Sequence, residues 1–172
     1  MRLAPPRGAI TSVDWEGVLR QLASTYSFVG ANETSTWVAP GGAEQLLGDL
    51  ADKRSGTWAV TGSFASSSIV PVAEPETAFT YTTDPERLAK VGRLLPATTG
   101  ANVVLAVPYD EIVFERTRAS AKVPFVSTAQ TAVDDLTGTG RMSEEGEALV
   151  AWMHRNLGRW QSTSLTPPKA AS

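Results

Sequence analysis

The stretch Thr57-Trp58-Ala59-Val60-Thr61-Gly62-Ser63-Phe64 decides the fold class of this chain. Its first residues predict a buried strand, which ends at Gly62 and turns into a short helix rich in Ser and Ala. A second strand is predicted over 77–82, where β-branched and aromatic residues alternate. A strand, a tight Gly-Ser turn, a crossover and another strand would form the first unit of a sheet that helices cover.

Helical spacing of apolar residues predicts the covering elements on either side of this stretch. Helices are expected over 13–26 with Ser12 as cap, over the apolar positions 43–51, from Asp84-Pro85 through Leu88, Val91 and Leu95, from Ser127, and from Ser143. Strands are expected over 34–39, 100–108, 111–117 and 122–126. The run 100–108 is apolar throughout, which favours a central strand. Pro124 cannot donate to a ladder and is expected at an edge.

These elements predict an α/β fold (an α+β sandwich), with a mixed central sheet of about five strands packed with helices. The closest architecture that we consider is nucleotidyltransferase-like. Three regions are expected: a helix–strand–helix segment over 1–56, an α/β domain over 57–158, and a disordered tail over 159–172. The polar connector 52–56 is the predicted internal boundary.

Composition excludes several classes of function. The 172 residues contain 15 Lys and Arg against 18 Asp and Glu, so the net charge of −3 provides no electrostatic footprint for nucleic acid. The absence of cysteine excludes disulfides, thiolate metal sites and cysteine nucleophiles, and a single histidine excludes multi-histidine metal sites. No apolar run approaches the roughly 20 residues that span a bilayer, and the amino end lacks a signal-peptide pattern. We expect a cytoplasmic protein without a cofactor and without a membrane partner.

One constellation resembles a catalytic set. Gly62 and Ser63 follow a strand, and Glu74, Glu76 and Glu115 follow them along the chain. In nucleotidyltransferases a Gly-Ser turn binds the triphosphate, and carboxylates hold magnesium. Here Pro75 separates the two nearer acids, which precede a strand instead of lying on it. We favour the simpler interpretation, in which the glycine permits a tight turn and the glutamates lie on a solvated loop.

Other polar residues are expected to have structural roles. Adjacent residues of a helix do not face each other, so one of Asp134 and Asp135 should face solvent and the other a helix end. His154 is expected to complement the dipole at the end of the last helix. Arg116, Arg118 and Lys122, and likewise Arg141, Arg155 and Arg159, are expected to form solvated surface. Trp160 lies beyond the last packing stripe, where an exposed aromatic would suggest a protein contact surface.

Several segments resemble, in the same order, the carboxyl-terminal domain of actinobacterial winged-helix regulators. They are 60–65, 69–73, 81–85, 99–105, 108–110, 113–117, 127–130 and 136–141, while 8–15 resembles the join just after the wing. These regulators are similar to the AbiEi-like antitoxins of type IV toxin–antitoxin systems. The resemblance covers nearly the whole chain except the tail, and its motifs are mostly structural.

The resemblance implies an α/β antitoxin domain that opposes a nucleotidyltransferase-like toxin. The family adds an amino-terminal winged helix that binds promoter DNA. This sequence begins where the winged helix should have ended, so we expect DNA binding only if a winged-helix partner is supplied. The first hypothesis is therefore a non-enzymatic transcriptional regulator or antitoxin effector domain, with a cognate toxin or partner protein and no catalytic residues. The alternatives are a small nucleotidyltransferase that uses Mg and nucleotide, and a fragment without an independent role.

Overall fold

A computed structural model describes residues 12–53 and 55–162 of the chain. Within these ranges the strands are Glu33–Val38 (β1), Trp58–Thr61 (β2), Ala78–Thr82 (β3), Leu95–Pro96 (β4), Val103–Val107 (β5), Arg118–Ser120 (β6) and Val123–Phe125 (β7). The helices are Trp15–Ala23 (α1), Phe28–Ala31 (α2), Ala43–Ala51 (α3), Ser63–Ser67 (α4), Pro85–Gly92 (α5), Thr128–Leu136 (α6), Arg141–Arg155 (α7) and Leu157–Trp160 (α8), and Glu111–Phe114 forms a 3-10 helix.

All seven strands belong to one mixed sheet with the order β4-β1-β5-β3-β2-β7-β6. β5 lies antiparallel to β1 and parallel to β3, and β2 lies antiparallel to β3 and parallel to β7. The edge strands β4 and β6 pair antiparallel with β1 and β7. The predicted α/β class is thus confirmed. The count of about five strands was too low, because edge strands of two and three residues are too short to give a periodic signal.

Helices cover both faces of the sheet. On one face, Val60 and Leu105 pack with Leu50 of α3 and Leu88 of α5. On the other face, Ala59 and Ala106 pack with Phe28 and Val113. α6 also lies on this second face, since its Asp134 accepts a hydrogen bond from Thr61 of β2. α1 and α7 share an apolar cluster with α6 on the side away from the sheet. All four residues of β2 are buried, as the opening stretch predicts.

Short local signals were interpreted correctly. The α3 helix starts and ends within the predicted apolar positions, and its Leu46, Leu47 and Leu50 are buried. Asp84 caps α5 by accepting a hydrogen bond from the backbone N–H of Arg87 at 3.0 Å, with proline at the start of the helix. The predicted central strand is β5, which has a neighbour on each side.

Two predicted caps were wrong. Asp14, not Ser12, caps α1 through a 3.0 Å hydrogen bond from the N–H of Gly17. α7 begins at Arg141 after Gly140, whose φ of 60° suits glycine, so Ser143 lies inside this helix. The α5 helix ends before Leu95, because Arg93 adopts a left-handed conformation and redirects the chain into β4.

The region after β5 also differs from its prediction. Residues 111–117 do not form a strand: the Asp110 side chain accepts a hydrogen bond from the N–H of Ile112 and caps a 3-10 helix. Ile112 is exposed and Val113 is buried. β7, which contains Pro124, is not an edge strand, because β6 pairs along its outer side.

The sheet includes residues from both sides of the predicted boundary at 52–56, since β1 pairs with β5 over Glu33 to Trp37. At the other end, α8 contains Arg159 and Trp160. The remaining predicted tail, 163–172, lies outside the described residues, as does the amino-terminal stretch 1–11.

Candidate functional site

The Gly62 turn has the geometry that its sequence predicts. Gly62 has a φ of 68° and precedes α4. A Cβ at this position would lie 3.1 Å from the ring of Phe79 and 3.3 Å from the terminal methyl carbon (Cε) of Met142. The turn therefore requires glycine for its backbone conformation and for the close approach of two neighbouring side chains.

Ser63 faces the interior of the protein. Its hydroxyl donates a hydrogen bond to Glu145 Oε2 at 2.5 Å, and both side chains are buried. Glu145 lies four residues after the first residue of α7, near the end of the helix where the dipole favours an anion. The buried contact with Ser63 joins α4 to α7. The Nε of Arg141 lies 3.7 Å from Glu145 Oε1 at the surface end of this contact.

The three acids of the nucleotidyltransferase hypothesis occupy separate places. Exposed Glu76 lines a cleft of about 200 Å³ together with Ser63 and Arg141. Glu74 is exposed beside a different cleft, which Phe64 of α4 and Phe125 of β7 also line. Glu115 follows the 3-10 helix and is exposed. Within residues 12–53 and 55–162, no group of three or more His, Cys, Asp or Glu side chains is arranged to hold a metal ion.

A buried polar cluster lies between α6 and the sheet. Asp134 accepts hydrogen bonds from Thr61 Oγ1 at 2.5 Å, from Gln130 Nε2 at 3.0 Å and from the Tyr81 hydroxyl at 3.1 Å. The hydroxyls of Tyr81 and Tyr26 are 2.5 Å apart. Burial raises the pKa of Asp134 to about 6, although these hydrogen bonds act to lower it. Burial together with the Asp134 charge raises the pKa of Tyr26 to about 12.

Asp135 is the least satisfied polar group in the described chain. The residue is 0% exposed, and neither carboxyl oxygen has a hydrogen-bond partner of good geometry among the described residues. Burial raises its pKa to about 8; the nearby Ser66 hydroxyl opposes this shift, whereas the charges of Glu145 and Asp134 add to it. Its carboxyl group is therefore mostly protonated at neutral pH.

The expectation that Asp134 or Asp135 faces solvent was wrong, because α6 is enclosed on several sides. Five consecutive residues of this helix, 131–135, are buried. α6 packs against α7, α1, α4 and β2. A periodicity argument assumes one solvent-facing side, which this helix lacks. The available signal was in the strands: Thr61 and Tyr81 are polar residues on the same face of the sheet, and they required a partner there.

α1 has two apolar faces, of which one is uncovered. Trp15 and Leu19 pack into the cluster formed with α6 and α7. An ion pair from Arg20 to Glu147 at 2.9 Å, and a hydrogen bond between His154 Nε2 and Glu16 Oε2 at 2.6 Å, connect α1 with α7. His154 lies in the last turn of α7 as expected. On the other side, Val18 is 58% exposed and Leu22 is 45% exposed; this pair is called the outer face of α1 below.

A cleft of about 1050 Å³ lies between α1, α8, the start of α6 and the residues around β6. Its lining combines apolar and cationic side chains, namely Val13, Trp15, Leu157, Trp160, Arg118 and Arg159. Trp160 is half-buried, contacts Trp15 edge-on at 4.9 Å between ring centroids, and donates from Nε1 to the Met153 carbonyl at 3.0 Å. We call this cleft the arginine groove.

Comparison with known proteins identifies no relative. No protein-family model matches the chain, and no curated protein or solved structure matches it. The described helices are all too short or too polar to cross a membrane. The described chain is an α/β protein with a seven-stranded mixed sheet and a buried acidic cluster. Its apolar surfaces include the outer face of α1 and the apolar lining of the arginine groove.

Proposed function

We propose that this chain is a non-enzymatic regulator or antitoxin effector domain of a type IV toxin–antitoxin-like system, and that it acts through protein contacts. The observation that carries the proposal is the outer face of α1. Val18 and Leu22 lie one helical turn apart on an ordered helix and stay exposed, although the same helix is connected to α7 by an ion pair and a hydrogen bond. An apolar strip on a fixed helix is typical of a surface that a partner protein covers.

The resemblance to AbiEi-like antitoxins supplies the system to which this contact would belong. Under the proposal, the sheet is a nucleotidyltransferase-like scaffold without the enzyme's chemistry. The Ser63 hydroxyl, which would bind phosphate in an enzyme, donates to Glu145 instead. The partner would be a cognate toxin, and DNA would be bound only through a separately supplied winged helix. The net charge of −3 agrees with an effector that does not bind DNA by itself.

Growth rescue tests the proposal. The chain would be co-expressed with the product of a neighbouring toxin gene, and growth compared with that of cells expressing the toxin alone. We expect wild-type protein to restore growth and the double variant Val18→Asp/Leu22→Asp to lose at least about tenfold of the rescue, because charges on the outer face exclude an apolar partner. Thermal melting would verify that the variant folds, which is expected because both side chains are largely exposed.

The control is Val29→Asp, which places one negative charge at a side chain that is 61% exposed on α2. This variant should rescue growth as well as wild type does. Equal rescue by the outer-face variant would remove the role of α1. Failure of the wild-type chain against the neighbouring toxin, or tight sequence-specific binding of promoter DNA by the chain alone in a gel shift, would contradict the proposed function.

A further inference from the structure

Two cations of the arginine groove, Arg118 and Arg159, make contacts with uncharged groups. Arg118 Nη1 donates to Ser68 Oγ at 2.7 Å, its Nη2 donates to the Ala65 carbonyl at 2.6 Å, and its guanidinium lies 5.0 Å from the centre of the Phe125 ring. None of these partners is charged. Burial lowers the pKa of Arg118 to about 10, which shows that its charge is poorly solvated. An anion placed nearby would therefore interact with it strongly.

The second cation of the groove is Arg159, whose guanidinium lies 5.5 Å from the centre of the Trp152 ring. No Asp or Glu is among the described residues that line the groove. Trp15 and Trp160 contact each other and form a continuous apolar patch beside the two cations. The groove is thus suited to a short segment that carries both acidic and bulky apolar side chains.

The same chain presents a segment of that chemistry at its surface. In the turn Tyr109–Ile112, Tyr109 is 88% exposed and Ile112 is 65% exposed, and the two residues between them are the exposed acids Asp110 and Glu111. We call this segment the exposed turn. Its conformation is fixed: Tyr109 N–H donates to Asn32 Oδ1 at 2.9 Å, and Ile112 N–H donates to Asp110 Oδ1 at 2.9 Å. A preorganised segment loses little conformational entropy on binding.

We propose that the exposed turn of one copy of this chain docks into the arginine groove of a second copy, so that the protein self-associates. Tyr109 and Ile112 would cover the Trp15–Trp160 patch, and the acids of the turn would face Arg118 and Arg159. Arg116, which lines the groove, follows Ile112 by four residues, so the turn and the groove belong to neighbouring parts of the chain. A two-fold axis would then allow both contacts to form within one dimer.

Charge favours a second copy over the chain's own ends. Residues 1–11 and 163–172, which adjoin the groove in sequence at Ser12 and Ser162, contain no Asp or Glu and contribute only Arg and Lys as charged side chains. Single-stranded nucleic acid fits less well, because bases stack on separate aromatic platforms along an extended basic track. Here the two indoles contact each other. This contact uses a surface different from the outer face of α1 and is independent of the proposed function.

Sedimentation velocity of the full chain from about 1 µM to about 100 µM tests the proposal, since contacts between one short segment and one groove commonly have micromolar Kd values. We expect the mass to rise above that of a single chain with concentration. Two charge-reversed variants, Glu111→Arg and Arg159→Glu, should each weaken association by about tenfold or more. Mixing the two variants should restore association, because Arg at 111 of one copy then faces Glu at 159 of the other.

Glu86→Arg provides the matched control, because it makes the same charge change at an exposed residue of α5 away from the groove, and it should associate as wild type does. A wild-type chain that stays monomeric throughout the concentration range would overturn the proposal and leave the groove to another partner or to the chain's own ends. Association that survives both reversals, or a mixture that fails to associate while wild type does, would place the contact elsewhere and would also overturn it. Binding of single-stranded nucleic acid that Arg159→Glu abolishes, without self-association, would overturn it in favour of a nucleic-acid site.

Discussion

Asp135 of α6 is fully buried, with Ser66 of α4 and Glu145 of α7 nearby. Gly146 of α7 permits this close packing, since a Cβ there would lie 2.7 Å from the backbone nitrogen of Leu136. Because neither carboxyl oxygen has a hydrogen-bond partner among the described residues, the group avoids the cost of a buried charge by keeping its proton. The consequence is a stability that depends on pH.

The sign of that dependence follows from the raised pKa. In the unfolded chain Asp135 loses its proton near its ordinary value of 3.8, whereas in the folded protein it keeps the proton until about pH 8. Its contribution to stability is therefore fully present below pH 4 and declines as the pH rises to 8, with a limiting slope of about 1.4 kcal/mol per pH unit. Asp134 acts in the same direction over the narrower interval from its ordinary value to about pH 6.

The Asp135→Asn variant isolates this effect, because asparagine has nearly the same shape and does not ionise. We expect the stability of the variant relative to wild type to increase steadily between pH 5 and pH 8, as measured by urea unfolding at each pH. The comparison removes the opposite contributions of Glu16 and Glu147, whose pKa values are lowered mainly by Arg20, since both proteins contain them. Asp49→Asn, a change at an exposed carboxylate of α3, is the control. Parallel curves for wild type and Asp135→Asn would show that the buried carboxyl does not titrate as described.

At the scale of a single element, the turn from β2 into α4 combines two separate requirements for glycine. The φ of 68° at Gly62 disfavours any side chain, and Phe79 and Met142 occupy the space that a Cβ would need. Gly100, before β5, has nearly the same φ of 67° but no heavy atom within 4 Å of the Cβ position. The two glycines therefore separate backbone strain from steric contact within one protein.

Alanine at each position tests that separation. Gly100→Ala should cost about 1–2 kcal/mol of unfolding free energy, which is the strain of a left-handed conformation alone. Gly62→Ala should cost about 1–3 kcal/mol more, because Phe79 and Met142 must move within a packed interior. Denaturant unfolding of both variants measures the difference. Equal losses at the two positions would mean that the side chains around Gly62 adjust freely.

At the scale of the whole molecule, the sequence predicted what short stretches determine by themselves. The buried strand before Gly62, the Asp84-Pro85 helix start and the limits of α3 follow from caps, turns and periodicity, which require no knowledge of a neighbour. The buried acids could not be predicted in this way. Whether Asp134 and Glu145 face solvent depends on the packing of α6 against the sheet and of α7 against α4 and α6, which no local pattern of α6 or α7 encodes.

The candidate site shows the same division. Ser63 follows β2 and Glu76 precedes the neighbouring antiparallel strand β3, so both lie at the same end of the strand pair and line one cleft. The positions of Glu74 and Glu115 are instead set by the paths of the loops that contain them. The exposed turn and the arginine groove involve residues from distant parts of the sequence, such as Trp15, Arg118 and Trp160. The one sequence signal for a contact surface at the arginine groove was Trp160, an aromatic residue beyond the apolar packing stripe of the last predicted helix.

The sheet also predicts how the molecule unfolds. β1 lies between β4 and β5, so residues before the predicted boundary at 52–56 complete a sheet formed mostly by residues after it. Asn102 strengthens this connection: its side chain accepts from the Ala39 N–H at 2.8 Å and donates to the Ala39 carbonyl at 3.1 Å. Its backbone N–H donates to Trp37, and its carbonyl accepts from Ala78 in β3. One cooperative transition is therefore expected, instead of separate melting of 1–56 and 57–158.

Asn102→Ala tests this cooperativity because it removes a bidentate connection that joins β1 to the rest of the sheet. We expect a loss of about 1–3 kcal/mol, since the Ala39 N–H and carbonyl lose their partners. The midpoint should fall equally in far-UV circular dichroism, which reports all helices, and in tryptophan fluorescence, which reports the indoles on both sides of the boundary. Thr98→Ala, an exposed change near β4, should leave both midpoints unchanged. If the variant instead unfolds in two steps, with an early loss of part of the signal, then β1 and the helices around it form a cooperative unit of their own. A β1 that is integral to the sheet could not melt early, because its loss would expose β5.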